Sequence, residues 1–204
     1  MRKLKFCMLL AVVAIVAAPA LAASDVHVFL GQKSYSEDGL DDLDLDKAFE
    51  YGVGVNLDFE WPVMLTVDVM RADDDSSYTY VGRGITGYTY TYDLETTELH
   101  VGVRYPFLKD SNIQPYVGGG AAYVMTDLKL SSDFDSFSDD DSDVGYYGNV
   151  GVLFNIGETF AIGVDVRYSD ADAELSSGSA RGGSSTIKAD AGGLHYGVTA
   201  GWRW

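Results

Sequence analysis

From Phe49 to Trp61 every second residue is apolar: Phe49, Tyr51, Val53, Val55, Leu57, Phe59 and Trp61 alternate with Glu50, Gly52, Gly54, Asn56, Asp58 and Glu60. Only an extended strand sends those two sets to opposite faces, since a helix would scatter them around its axis. The last eleven residues keep the same period, with Leu194, Tyr196, Val198, Ala200, Trp202 and Trp204 against His195, Gly197, Thr199, Gly201 and Arg203. A chain that repeats this pattern is all-β.

Five further segments carry it. Val26, Val28 and Leu30 alternate with His27, Phe29 and Gly31, and Val63 to Val69 alternate with Met64, Thr66, Asp68 and Met70. A strand from about Thr91 to Tyr105 sets Leu99, Val101, Val103 and Tyr105 opposite Glu98, His100, Gly102 and Arg104, and its upper half, with Glu95 and Thr97 on the apolar side, lies beyond the membrane band. Val150, Val152, Phe154 and Ile156 oppose Asn149, Gly151, Leu153 and Asn155, while Phe160 to Tyr168 oppose Ala161, Gly163, Asp165, Arg167 and Ser169. An eighth strand falls in 115–130, where Gly118-Gly119-Gly120-Ala121-Ala122 leaves the faces unassigned. Between strands, 33–47, 72–87, 131–144 and 173–188 read as long polar loops. Pro62, 106–114 and Gly157-Glu158 read as short turns. Long and short connections alternate, so the strands run up and down with every long loop at one end.

The chain begins with Arg2, Lys3 and Lys5, an apolar run from Phe6 to Ala18, and Ala20-Leu21-Ala22. These are the three parts of a secretory signal peptide over residues 1–22, leaving 23–204 as one β-barrel domain. The single cysteine, Cys7, leaves with the signal, so neither disulfides nor thiolate metal sites are expected. With 31 acidic against 14 basic residues the net charge is −17, which excludes nucleic acid as a partner. No apolar run beyond the signal is long enough to cross a bilayer as a helix, so any membrane crossing uses strands.

Two arrangements satisfy an eight-stranded closed sheet. A soluble lipocalin-like cup would turn its apolar face inward around a greasy ligand. A membrane barrel turns it outward, and the glycines and charges opposite then fill a narrow lumen. The second is expected, because that glycine-rich face makes a poor solvent coat.

With the signal, the strand count and the closing aromatic in place, the chain resembles small bacterial outer-membrane β-barrels of the OmpA-transmembrane-domain-like and opacity-porin-like type. The most similar stretch is Leu99-His100-Val101-Gly102-Val103-Arg104-Tyr105-Pro106, followed by Pro115-Tyr116-Val117-Gly118-Gly119-Gly120. The resemblance implies an eight-stranded antiparallel up-and-down transmembrane barrel in the Gram-negative outer membrane. Termini would be periplasmic and long loops extracellular, with Tyr196, Val198, Trp202 and Trp204 as the signal read by the barrel assembly machinery. Its surroundings would be outer-membrane lipid and lipopolysaccharide, and it would be a monomer. No peptidoglycan-binding domain follows the barrel, so no such tether is expected.

The candidate site is the lumen. Glu50, Asp58, Glu60, Asp68, Glu98 and Asp165 face inward with Arg104, Arg167 and Arg203, as a paired-charge plug or, if the pairs rearrange, an ion path. His27, His100 and His195 also face inward. Counted up their strands they spread over more than ~15 Å, too far for a metal site or a hydrolytic triad. Asp42-x-Asp44-x-Asp46 lacks the glycine and glutamate of a calcium loop. The acidic loops are a solvated fringe, or weak divalent-cation binders at the lipopolysaccharide surface. The expected role is structural or surface-interacting, without catalysis or cofactor. A small cation-favouring porin is the alternative, and a lipid-modifying enzyme the second.

Overall fold

The computed structural model describes residues 24–35, 47–59, 61–80, 88–109, 111–132, 136–178, 184–190 and 192–203. The expected signal peptide, the Asp42–Asp46 motif, Glu60 and Trp204 lie outside them. The strands are β1 (Ser24–Tyr35), β2 (Lys47–Leu57), β3 (Met64–Tyr80), β4 (Tyr88–Pro106) and β5 (Ile113–Ser132). They continue with β6 (Ser136–Ile156), β7 (Phe160–Asp170), β8 (Asp172–Gly178), β9 (Ser184–Asp190) and β10 (Gly193–Arg203). Eight close into a barrel in the order β1-β10-β7-β6-β5-β4-β3-β2, and β8 and β9 form a separate two-stranded sheet. Every pairing is antiparallel, and the ladder from Asp25↔Arg203 to Tyr35↔Gly193 shuts the barrel without an edge.

Which way the faces point is clearest on β7. Phe160, Ile162, Val164 and Val166 are each 43–50% exposed, while Ala161, Asp165, Arg167 and Ser169 are buried. A chain that exposes its aliphatics and buries its charges is inside-out for water, which rules out the lipocalin-like cup. The outer face is not uniform: on β2 and β3, Val55, Leu57, Val67 and Val69 share its parity and are buried. β5 now has faces, with Gln114, Tyr116, Ala122, Val124 and Thr126 buried and Val117, Ala121 and Tyr123 exposed.

Aromatics bracket the apolar wall. At the short-turn end Phe59 meets Trp61, Tyr105 meets Phe107 and Phe160 meets Trp202, with ring centroids 5.9, 5.1 and 4.6 Å apart. Toward the long-loop end outward tyrosines donate to polar groups on the next strand: Tyr51 to Asp73 at 3.3 Å, Tyr123 to Ser142 at 3.1 Å, Tyr196 to Gln32 at 2.8 Å and Tyr146 to Asp170. Rings with one apolar side and one polar end settle where hydrocarbon meets water. Above that belt Arg71 pairs with Asp73 and Glu95, and Lys129 with Glu95.

Three of the expected loops are largely strand. β3 and β4 pair out to Tyr80↔Tyr88, and β5 and β6 out to Ser131↔Ser136, so most of 72–87 and 131–144 extends the sheet. Segment 173–188 holds most of the β8–β9 hairpin. Their polarity suggested loops, but Tyr78-Thr79-Tyr80 and Tyr88-Thr89-Tyr90 have strand-forming side chains and gain a paired partner. The Gly157-Glu158 turn is three residues long, 157–159, and Gly157 takes φ 69°, where a side chain would be strained.

Candidate functional site in the barrel lumen

Small inward residues make the lumen wide enough for long ones. A Cβ on Gly54 would stand 2.0 Å from Asp68 Oδ1 and 2.6 Å from His27 Nε2, so the missing side chain is the space those two groups occupy. They belong to the lower of two linked clusters. His27 Nε2 lies 3.0 Å from Asp68 Oδ1 and its Nδ1 3.4 Å from Asp25, while Asn56 donates to Asp25 at 2.7 Å. Arg167 donates to Asp68 Oδ2 at 2.8 Å and holds a charge contact with Asp165 at 3.6 Å. Asp165 accepts from Tyr116 at 2.5 Å and Asn149 at 2.8 Å. The Arg104 guanidinium lies over the Tyr116 ring, 4.3 Å from its centroid.

Arg167 joins this cluster to the upper one, because its other amino group donates to His100 Nδ1 at 2.5 Å. With Nδ1 accepting, Nε2 of His100 carries the proton and donates to Glu98 Oε2 at 2.8 Å. Glu98 is the hub: Lys33 donates to its Oε1 at 2.6 Å, and His195 Nε2 lies 3.7 Å from the same oxygen. His195 Nδ1 meets Glu50 Oε1 at 2.7 Å, and Ser169 Oγ meets His195 Nε2 at 2.9 Å. Beside these charges, Tyr35, Ala48, Ala72 and Leu94 form one apolar cluster, and Ala122, Val124, Tyr147 and Ala171 another, with the Tyr147 ring stacked 4.5 Å from His100.

Of the nine inward charges expected, six belong to this assembly: Glu50, Asp68, Glu98, Arg104, Asp165 and Arg167 are all buried. Two sit apart at the short-turn end. Asp58 lies past the end of β2 and pairs with Lys109, and Arg203 reaches Gln114 and Asn155. Lys33, expected in a loop, is wholly buried because β1 runs on to Tyr35; strict alternation from His27 through Phe29 and Gly31 points to it.

Two of the three histidines converge, contrary to expectation. His100 and His195 have ring centroids 6.2 Å apart and share Glu98, and His27 joins them through Asp68 and Arg167. Counting residues up separate strands failed because hydrogen-bonded rows spiral around a closed barrel. The row from His100 through Asp68, Gly54 and His27 reaches β10 at Gly201, six residues from His195. Ser169, His195 and Glu50 accordingly stand in the order nucleophile, base, acid. All three are at most 1% exposed, and two lumen cavities, one lined by His27, Asp68 and Arg167 and one by Asp25, Arg104 and Arg203, include none of them in their linings. Each of those cavities holds ≈ 10 Å³, about room for one water molecule.

A closed antiparallel sheet with aliphatics outside and interlocked charges inside defines a transmembrane β-barrel. The chain belongs to the outer membrane protein beta-barrel domain family, whose model matches residues 8–203. Among solved structures it is similar to the outer membrane protein OprG from Pseudomonas aeruginosa, with TM-score 0.66 and 16% identity over 89% of this chain and 95% of that one. It is also similar to Ail, the attachment invasion locus protein of Yersinia pestis, in complex with the heparin analogue sucrose octasulfate. There the TM-score is 0.57 and identity 15%, over 89% of this chain and 98% of that one. At such identities the likeness concerns the fold. A comparison with curated protein sequences gave no significant match.

Proposed function

We propose that this protein is a sealed outer-membrane barrel that presents an extended sheet at the cell surface, without catalytic chemistry. The observation that carries the reading is the filled lumen, in which Lys33, Glu50, Glu98, His100 and His195 are at most 1% exposed and two apolar clusters pack beside them. An ion would have to break several buried charge pairs in a lumen that these side chains fill. The short turns and both termini face the periplasm in this reading, and the long-loop end faces outward. There β3 to β6, at 17–21 residues, exceed the ~9–11 a bilayer needs, so they stand proud of the lipid. Tyr196, Val198, Trp202 and Trp204 act as the assembly signal, and lipopolysaccharide surrounds the barrel. Ail was crystallised with a sulfated polyanion, but a net charge of −17 opposes that class of partner here.

Planar-bilayer recording tests the seal. The protein is expected to give no steady conductance, and Lys33→Ala combined with Arg167→Ala to give channel openings. A steady cation-selective current from the unsubstituted protein would instead establish the small-porin alternative.

A further inference from the structure

Glu50 on β2, Glu98 on β4 and His195 on β10 each bring one ligand-type atom to a common point, all within 4.8 Å of one another. All three are at most 1% exposed. Glu98 is well served by Lys33 and His100, but Glu50 is not: its Oε1 meets His195, and its Oε2 has no hydrogen-bond partner. A buried carboxylate oxygen without a donor is unfavourable. We propose that Glu50, Glu98 and His195 are the protein ligands of one divalent transition-metal ion of the Zn²⁺ class, bound inside the barrel.

The donor set suits such an ion. Two carboxylate oxygens and one imidazole nitrogen leave a fourth tetrahedral position for water or a hydroxyl group. Metal–ligand bonds of ~2.0–2.2 Å put tetrahedral ligands roughly 3.4 Å apart, so the three atoms close by no more than about 1.4 Å, within reach of glutamate rotamer adjustment. Outer contacts that orient the ligands already exist. His100 Nε2 donates to Glu98 Oε2 at 2.8 Å, and Ser169 Oγ lies 2.9 Å from His195 Nε2, a hydrogen bond that fixes the ring between Glu50 on its Nδ1 side and Glu98 on its Nε2 side. Lys33 is the competitor: its ammonium holds Glu98 Oε1 at 2.6 Å and limits affinity.

The protein is refolded in detergent micelles with Zn²⁺ or Co²⁺, freed of loose ion by gel filtration against a weak chelator, and analysed for metal content. One equivalent of Zn²⁺ per chain is expected, falling at least tenfold in Glu50→Gln and His195→Gln. It is unchanged in Asp41→Asn/Asp42→Asn, which lowers the charge of the acidic 36–46 segment. Lys33→Met should bind at least tenfold more tightly. Heat-modifiable gel migration checks that each variant is folded. Should a ligand variant not fold, the cobalt spectrum of the unsubstituted protein decides, intense tetrahedral bands supporting the site and weak octahedral ones overturning it. Equal retention by the unsubstituted and Glu50→Gln proteins, or loss through the Asp41/Asp42 pair alone, also overturns it.

Discussion

Arg167 is the residue on which the two lumen clusters depend, since Asp68, Asp165 and His100 all meet its guanidinium. Removing it leaves two buried carboxylates short of positive charge, and the cost of stranding a buried charge is about 3–5 kcal/mol. Arg167→Ala is therefore expected to lower the urea midpoint of the heat-modifiable folded band by that equivalent. Arg167→Met with Asp68→Asn should recover part of the loss, because the partner's charge goes too. At this scale the sequence was informative where strand parity was clean, which is how Glu50, Asp68, Glu98, Asp165 and Arg167 were found. Lys33 escaped because it precedes an acidic run and reads as the start of a loop. The pairing of β1 with β10 and with β2, which holds Lys33 between His195 and Ala48, carries the strand on and brings it indoors.

Among the elements, β7 shows the barrel's logic in one strand. Its outward Val164 is 50% exposed between Ile162 and Val166, in the middle of the apolar wall. A charge there meets hydrocarbon, so Val164→Arg is expected to lose ~2–4 kcal/mol of folding stability in lipid vesicles, whereas Val164→Leu stays near neutral. Titrating the folded fraction against urea measures both. The β8–β9 hairpin is the contrasting element, because its strands form a separate hydrogen-bonded sheet outside the closed ladder and touch the barrel through packing of β8 on β6. Replacing 173–188 with a short glycine-serine turn should leave heat-modifiable migration and the urea midpoint within about 0.5 kcal/mol of the parent. A collapse of the folded band would show that the hairpin braces the barrel. The upper parts of β3 and β6 were poorly legible because a strand beyond the lipid no longer needs to alternate apolar and polar residues, whereas the far ends of β4 and β5, at Tyr88 and Ser132, fall close to the expected Thr91 and Leu130. What remains is strand propensity in Tyr and Thr runs and the gain from pairing a neighbour already in place.

For the whole molecule, the residue pattern alone specifies an eight-stranded antiparallel barrel with apolar side chains outward. Period-two patterning leaves one face for lipid, and a membrane tolerates no unpaired backbone edge. It also determined which side chains enter the lumen, since parity within a strand is a local property. Which of them meet was decided only by tertiary structure. Axial height in a closed barrel depends on stagger accumulated over all eight strands, and no single strand encodes it. That stagger sets His100 beside His195, carries Ser169 and Glu50 to the same imidazole, and moves Asp58 and Arg203 away from the cluster.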